Sequence, residues 1–589
     1  MTLRNNCRTT LFYFLLLAFL IGCVGSYFPT SQLPALRVLE VDPLPSLYEA
    51  DIDTLAKGLE RKRFTSVDLV KASYIGAPGR ILQLVLIAFN RLISILTPWS
   101  LHLCLITNAP GAAFAGKYSQ ISSWAYADFR SPLHGIPILI KDTIATCDGM
   151  NTTAGSYALA GAKVPTDSTV VTKLREAGAI VLGKTNPSEW GNFRVSLNSS
   201  NGWSGYGGQT YGPFYPHQDP SGSSSGSAVA ASLGLATVCL GGETDGSIID
   251  PASFNNIVGM KPTVGLVSRH LVVPLSERMD TIGPMTKTVK DSAYVLESIA
   301  GTDPFDNYTS ALPSEADLNF IDACKLSSLS GARLGVPRNV ISLKANGNTG
   351  PTIKAFNESL DVLRSAGAHI IEATDFPAAE DFLNDSLLSA EIMGADFVVD
   401  LEKYLSQLVY NPNNITSLVD LRRWTQSSPR EGYPDKGTSL WDAALQNWNN
   451  TEYGFWRAYQ RGLYYGDEGG LLGTIRRHRL DAVVLPSQFS WEWAAVVGAP
   501  IVSVPMGAMP PGQPIVSDDD GLISSAPNIP FGFSFMGARF TDAKIIGLAY
   551  AFEQRTGIRK RIIPCVAPQT DLRDVVHSQC DPPQNQDGL

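Results

Sequence analysis

Residues 135–142 read Gly-Ile-Pro-Ile-Leu-Ile-Lys-Asp, a short apolar run that ends in a lysine and an aspartate. Short apolar runs rich in β-branched side chains are typical of buried strands. Comparable runs recur at 179–182, 332–336 and 481–485, with helical stretches between them. Strands that alternate with helices are typical of βα units. We therefore predict an α/β fold with a twisted, mixed, mostly parallel β-sheet covered by helices on both faces.

The same run places the cationic side chain of Lys141 at the end of a buried strand. A free lysine has a pKa of about 10.4 and is protonated at neutral pH. Burial disfavours the ammonium form and lowers this pKa, which allows a lysine to act as a base. The apolar neighbours Ile138 and Ile140 indicate burial, whereas the carboxylate of Asp142 would favour the charged form. Lys141 is a candidate general base, although a lysine at a strand end is more often a surface residue.

Two small-residue segments downstream each expose a serine. Residues 220–227 read Pro-Ser-Gly-Ser-Ser-Ser-Gly-Ser and contain Ser223, and the apolar residues 228–235 that follow predict a buried helix. The loop is therefore expected to open a helix N-terminus rather than to form a flexible linker. Residues 241–247 read Gly-Gly-Glu-Thr-Asp-Gly-Ser and end in Ser247, 24 residues after Ser223. A tight turn there would direct a hydroxyl and several backbone N–H groups toward one point.

Together these segments resemble the amidase signature family, whose members hydrolyse amides with a Ser-Ser-Lys triad. The resemblance extends from about residue 50 to about residue 564 and is greatest to secreted fungal amidases. It implies that Ser247 is the nucleophile, Ser223 the bridging hydroxyl, preceded by a cis peptide bond, and Lys141 the base. It further implies a single large domain. The implied oxyanion donors are the backbone N–H groups of Thr244, Asp245, Gly246 and Ser247.

The chain departs from the common family pattern at four positions. Ser221 and Ser225 replace glycines, Asp245 replaces a glycine beside the oxyanion donors, and Ile249 stands where many members have arginine. These changes leave the three triad positions intact, so they concern the placement of the substrate.

Composition and local pattern exclude several other classes of function. The net charge of −9 provides no basic surface for nucleic acid, which argues against tRNA-dependent amidotransferase subunits. Residues 178–185 match a Walker A pattern by letter, but their interior Ala-Ile-Val-Leu predicts a strand instead of a phosphate-binding loop. The seven histidines show no metal-ligand spacing. We expect a small-molecule amide substrate, no cofactor and no metal, and the sequence does not indicate an oligomeric state.

Aromatic residues are concentrated at 203–215 and 489–493, where they could line the acyl pocket or pack in the core.

The N-terminus predicts secretion. Arg4 and Arg8 precede the apolar residues 11–21 and a small-residue cleavage zone at 22–26, so residues 1–26 are interpreted as a signal peptide. An uncleaved anchor and a lipoprotein site at Cys23 are the alternatives. We assign 27–48 to an extended segment, 49–575 to the amidase domain and 576–589 to a polar tail.

The asparagine and cysteine residues are consistent with a secreted protein. Six cysteines follow Cys23, and Cys565 with Cys580 is the first pair to test for a disulfide. Seven Asn-x-Ser/Thr triplets are candidate glycosylation sites: Asn151, Asn198, Asn307, Asn357, Asn384, Asn414 and Asn449.

Residues 73–130 differ from the rest of the chain. They contain long apolar runs at 81–90 and 92–98, and Asp128 is the only carboxylate in the interval. A misread exon or frameshift, a membrane-touching apolar patch and an unusual buried helix pair are the three interpretations.

The leading functional hypothesis is a secreted amidase that acts through an acyl-enzyme. An esterase, a membrane-associated hydrolase of lipid amides and a non-catalytic secreted relative remain as alternatives.

Overall fold

The computed structural model describes residues 43–75, 131–195, 200–568 and 570–577. The predicted signal peptide, the apolar runs of the 73–130 segment, Asn198 and Cys580 lie outside these residues. Within the described ranges, no helix is long and apolar enough to cross a bilayer.

A ten-stranded sheet forms the centre of the α/β domain, in the order β2-β1-β5-β7-β6-β11-β14-β10-β8-β9. Two small two-stranded sheets pair β3 with β4 and β12 with β13. The strands are β1 (Pro137–Lys141), β2 (Ile180–Thr185), β3 (Trp203–Ser204), β4 (Gly208–Gln209), β5 (Val238–Glu243), β6 (Val258–Lys261), β7 (Thr281–Thr286), β8 (Arg333–Gly335), β9 (His369–Ile371), β10 (Ala482–Pro486), β11 (Ile501–Ala508), β12 (Val516–Ser517), β13 (Ile523–Ser525) and β14 (Pro530–Met536).

The four strands predicted from apolar runs are all present as β1, β2, β8 and β10, and the mixed sheet is confirmed. Parallel pairing is restricted to its two ends, β2-β1-β5 and β10-β8-β9, and the five pairings between β5 and β10 are antiparallel. The expectation of mostly parallel pairing is therefore too strong. Its physical reason lies in the connections: residues 262–280 and 509–529 contain no crossover helix, so β7 and β14 return antiparallel.

The strands β1, β7, β10 and β14 are buried along their whole length. Alternate side chains of a strand point to opposite faces, so both faces of the sheet are covered, as predicted. The α-helices that the structure describes are α1 (Ile52–Glu60), α2 (Ser66–Ile75), α3 (Thr169–Glu176), α4 (Ser225–Ser232), α5 (Ile249–Phe254), α6 (Val289–Ile299), α7 (Phe320–Ala323), α8 (Arg338–Lys344), α9 (Gly350–Ser365), α10 (Ala379–Asn384), α11 (Leu388–Ser406), α12 (Leu418–Ser427), α13 (Ser439–Gln446), α14 (Tyr453–Gly466), α15 (Leu471–His478), α16 (Trp491–Ala495), α17 (Asp542–Thr556) and α18 (Leu572–His577).

Helix starts follow the sequence signals closely. Asp51 caps α1 by accepting a hydrogen bond from the Thr54 N–H at 2.8 Å. Thr65 and Asp68 bond reciprocally at the start of α2, which is a capping box. The helix predicted after the serine loop is α4, and it begins at Ser225, two residues after Ser223. The loop therefore opens a helix, as expected.

Close packing of β5, β6 and β7 leaves no space for side chains at two facing glycines. Gly241 of β5 pairs with Gly283 of β7. A Cβ atom on Gly283 would lie 1.9 Å from the carbonyl oxygen of Met260, and one on Gly241 would lie 2.8 Å from the Ser224 hydroxyl. Glycine at position 283 allows β7 to approach β6, and glycine at position 241 allows the serine loop to approach β5.

We predict that Gly283→Ala lowers the free energy of unfolding by about 3 kcal/mol, because the new methyl group overlaps a backbone carbonyl that cannot rotate away. Gly347→Ala is the matched control, since a Cβ there meets nothing within 4 Å, and its effect should stay within about 0.5 kcal/mol. Urea unfolding of both variants provides the measurement. Equal midpoints for the two variants would contradict this account of the sheet.

Candidate active site

Lys141 is the last residue of β1, between the parallel neighbours β2 and β5. Its side chain is buried, and its Nζ lies 2.8 Å from both the Ser223 hydroxyl and the carbonyl oxygen of Gly242. All residues of β1 are buried, and those before Lys141 are apolar, so the strand holds the Lys141 side chain inside the protein. The predicted burial of Lys141 is confirmed.

Ser223 lies in the loop before α4, and the peptide bond between Gly222 and Ser223 is cis. Its carbonyl oxygen accepts a hydrogen bond from the Ser188 N–H at 3.0 Å, which ties the loop to the segment after β2. A Cβ on Gly222 would lie 2.4 Å from the Ser188 hydroxyl, so only glycine fits there. The small residues of this loop therefore let its backbone pass close to β2.

Ser247 follows β5, and its hydroxyl lies 3.0 Å from that of Ser223. The Ser224 N–H donates to the carbonyl oxygen of Ser247 at 3.1 Å, so the two serine segments are joined by their backbones as well. Gly246 has a φ of +84°, and a Cβ there would lie 2.8 Å from the Trp491 indole. The structure brings Lys141, Ser223 and Ser247 into one continuous hydrogen-bonded chain.

The electrostatic environment of Lys141 favours the neutral amine. Burial lowers the pKa of its ammonium to about 7, and the carboxylates of Asp280 and Glu243 partly oppose this shift. A neutral amine has a lone pair that can accept a proton from Ser223. Lys141 is therefore close to its protonation midpoint at neutral pH.

Asp142 does not supply the opposing charge that the sequence suggested. Its carboxylate accepts hydrogen bonds from the hydroxyl and N–H groups of Thr153 and faces the ammonium of Lys184. Strand β1 ends at Lys141, and in the turn that follows the Asp142 carboxylate is bonded by Thr153 and faces Lys184 instead of Lys141. The carboxylates that act on Lys141 come instead from β5 and from the residue before β7.

The turn 244–247 presents open backbone donors beside Ser247. Among the described residues, none accepts a hydrogen bond from the N–H groups of Thr244, Asp245 or Ser247. The Gly246 N–H faces the carboxylate of Glu243, whose Oε2 also accepts from the N–H groups of Ile248 and Ile249 at 2.7 and 2.9 Å. Three of the four predicted donors thus have no hydrogen-bond acceptor among the described residues, and Glu243 supports the turn.

A cavity of about 40 Å³ adjoins Lys141 and Ser223. Its other polar lining residues are Thr143, Glu243, Thr244, Asp280 and Thr281, and the remaining walls are mainly apolar. Those apolar walls come from Ala154, Trp190, Val272, Val273, Pro274, Leu275 and Ile282.

Trp190 and Asp280 are two of the lining residues that sequence reasoning did not assign to the site. Trp190 is buried and has a φ of +50°, and it packs edge-on against Trp441. No local pattern distinguishes it from a core tryptophan, because its contacts come from distant helices. Asp280 directly precedes β7, and no local sequence pattern assigns it to the site.

The aromatic segments for which the sequence left an acyl pocket or core packing as alternatives have different positions. Trp493 is fully buried and packs against Phe376 and Phe382, so it belongs to the core. Trp491 contacts the turn at Gly246. Trp203 borders a separate small cavity. None of the aromatic residues at 203–215 or 489–493 lines the cavity beside Lys141.

We predict that the difference in unfolding free energy between Lys141→Met and the natural protein depends on pH. Between pH 7 and about 10.4, unfolded Lys141 binds a proton that the folded form does not, so the natural protein gains about 1.4 kcal/mol of stability per pH unit. Methionine does not titrate, and all other groups are shared. Any stability advantage of the variant should therefore shrink as the pH rises.

Paired urea unfolding at pH 7.5, 8.5 and 9.5 measures this change. A difference between the two proteins that stays constant over this range would show that Lys141 keeps an ordinary pKa in the folded state.

Comparison with known proteins agrees with this geometry. The Amidase family model matches residues 112–491. A relative assigned as an amidase in Arthroderma benhamiae is 46% identical over 543 residues, 91% of each chain. Another in Arabidopsis thaliana is 35% identical over 87% of this chain and 91% of its own. The crystal structure of peptide amidase from Stenotrophomonas maltophilia has a TM-score of 0.73 at 32% identity and covers 89% of this chain and 100% of its own. The chain belongs to the Amidase family of amide-hydrolysing enzymes.

Proposed function

We propose that this protein cleaves carboxylic amides to an acid and an amine or ammonia through an acyl-enzyme on Ser247. The hydrogen-bonded chain from Lys141 through Ser223 to Ser247 is the observation that carries the proposal. A serine hydroxyl is a weak nucleophile until a base accepts its proton. The buried amine of Lys141 supplies that base, and Ser223 relays the proton because its hydroxyl can donate and accept at once.

In the acylation step, Ser247 Oγ bonds to the carbonyl carbon of the substrate as its proton passes to Ser223. The Ser223 proton moves to Lys141 Nζ. The π electrons of the carbonyl shift to its oxygen, where the N–H groups of Thr244, Asp245 and Ser247 stabilise the negative charge. The C–N bond then breaks while the proton returns through Ser223 to the leaving nitrogen, and the acyl ester of Ser247 remains.

Deacylation uses the same relay with water as the nucleophile. Water gives its proton through Ser223 to Lys141 and adds to the ester carbonyl. Collapse of the intermediate releases the carboxylic acid, and Ser247 recovers its proton. The cycle needs no cofactor and no redox step. Lys141 has the same protonation state at the start and at the end of each turnover.

The substrate class follows from the cavity and from the relatives. Peptide amidase from Stenotrophomonas maltophilia is named for a peptide substrate, and the apolar walls around Val273 and Ile282 favour an uncharged group next to the scissile amide. We therefore propose small acyl amides or peptide amides. Ester hydrolysis uses the same residues, and the ratio of ester to amide turnover distinguishes the two activities. A lipid-amide hydrolase would depend on residues 81–98, which lie outside the described ranges.

Reaction with a fluorophosphonate tests the nucleophile. We expect rapid formation of an adduct on Ser247, identified by peptide mass, and no adduct at this position in Ser247→Ala. Lys141→Ala should slow the reaction by a factor of about 10³ or more, because the base that activates the hydroxyl is lost.

Lys287→Met is the matched control for the lysine variant. Lys287 is also fully buried, and its Nζ donates to the carbonyl oxygen of Leu47, remote in sequence from the serine segments. Its removal should leave the labelling rate close to that of the natural protein. A folded natural protein that forms no adduct would favour the non-catalytic alternative.

The pH dependence of kcat/KM tests the role of Lys141. Only the neutral amine accepts a proton, so activity should rise as pH increases through about 7, the pKa of Lys141. Below this pH the rate should fall about tenfold per unit, because the neutral fraction of Lys141 shrinks by that factor. Turnover of a peptide amide between pH 5 and 9 is the measurement. An activity that is constant from pH 5 to pH 9 would exclude Lys141 as the base.

We also propose that the protein is secreted and glycosylated. The signal-like residues 1–26 support secretion, and four of the Asn-x-Ser/Thr asparagines are exposed: Asn307, Asn357, Asn384 and Asn414. Recovery of the protein from the culture medium, with a mass that falls after deglycosylation, is the expected result. Retention inside the cell without glycans would contradict it.

A further inference from the structure

Asp280 lies between the turn 244–247 and the cavity beside Lys141. One carboxylate oxygen accepts a hydrogen bond from the Thr244 hydroxyl at 2.5 Å, and the other accepts from the N–H groups of Leu275 and Ser276 at 2.7 and 3.1 Å. Asp280 is also one of the residues that line the cavity beside Lys141. Asp280 is therefore held rigidly between the first residue of the turn 244–247 and the proposed base.

Of the two carboxylates whose charge acts on Lys141, Asp280 has the larger effect and Glu243 the smaller. Arg269 also faces Asp280, but its guanidinium is paired with Asp306 through two hydrogen bonds of 2.8 Å. The second carboxylate near Lys141 is Glu243, which faces Lys261 and is bonded by backbone N–H groups. On the opposite side of the strand end, Asp142 faces Lys184 and does not act on Lys141.

We propose that Asp280 is a positioning residue that holds the oxyanion turn through Thr244 and, by its negative charge, stabilises the ammonium that forms on Lys141 during catalysis. This inference rests on the proposed function, because it assigns a role within that site. Sequence similarity does not identify the role, since Asp280 acts through two other residues and contacts neither serine hydroxyl.

Two consequences separate this role from simple structural support. Burial raises the pKa of Asp280 to about 6, so its carboxylate is mostly charged near pH 7. Without that charge, Lys141 loses its proton at lower pH, so the acid limb of the reaction should move to lower pH. The amine is then also a weaker base, so the plateau rate should fall. A residue that only supports the fold would lower the rate or the stability without moving the acid limb.

The test measures the rate of fluorophosphonate labelling of Ser247 against pH in the full-length protein. For Asp280→Asn we expect the acid limb to move by about one unit to lower pH and the plateau to fall about tenfold. A folded variant with its acid limb unchanged would overturn the inference. If the natural protein itself is not labelled on Ser247, the proposed function fails, which is a distinct result.

Thr244 variants decide the question independently, including the case in which Asp280→Asn does not fold. Thr244→Val removes the hydroxyl that Asp280 holds and should lower the plateau labelling rate about tenfold, because the oxyanion donors lose their alignment. Thr244→Ser keeps the hydroxyl and should restore the rate. Equal plateau rates for Thr244→Val and the natural protein would overturn the positioning role.

Discussion

The active site depends on one costly constraint, an amine buried at the end of a strand with two hydrogen-bond acceptors. Lys141 has the hydroxyl of Ser223 and the carbonyl oxygen of Gly242 as these partners. Desolvation destabilises its ammonium form by more than these contacts and the nearby carboxylates recover. The proposed amide hydrolysis requires a neutral amine. The loss of stability from burying Lys141 is therefore an example of the common trade-off between stability and activity at functional sites.

The arrangement of strands explains why the site forms where it does. β2, β1 and β5 are parallel, so their carboxyl ends lie at one edge of the sheet. Lys141 ends β1, the segment with Ser188 follows β2, and the turn with Ser247 follows β5. Loops that leave the carboxyl ends of neighbouring parallel strands form the crevices in which α/β proteins bind ligands. Here the serine loop before α4 completes the crevice.

The carboxylates around the site differ in the lysine that they face. Asp142 is adjacent to Lys141 in sequence, yet it serves Lys184 and Thr153 on the other side of the chain. Asp280 is far from Lys141 in sequence and lines its cavity. Proximity in sequence was therefore a poor guide to electrostatic partnership, because the chain turns directly after Lys141.

The sequence by itself determined the local elements and indicated the candidate active-site residues. Apolar runs and turn residues predicted β1, the loop before α4 and the turn at Ser247, because strand burial, glycine-dependent turns and helix starts depend on short segments. The strand directions at the centre of the sheet, the cavity wall formed by Trp190 and the bond between Asp280 and Thr244 were decided only by the tertiary structure. Each of these joins residues from separate elements, and hydrophobic periodicity carries no information about which elements meet.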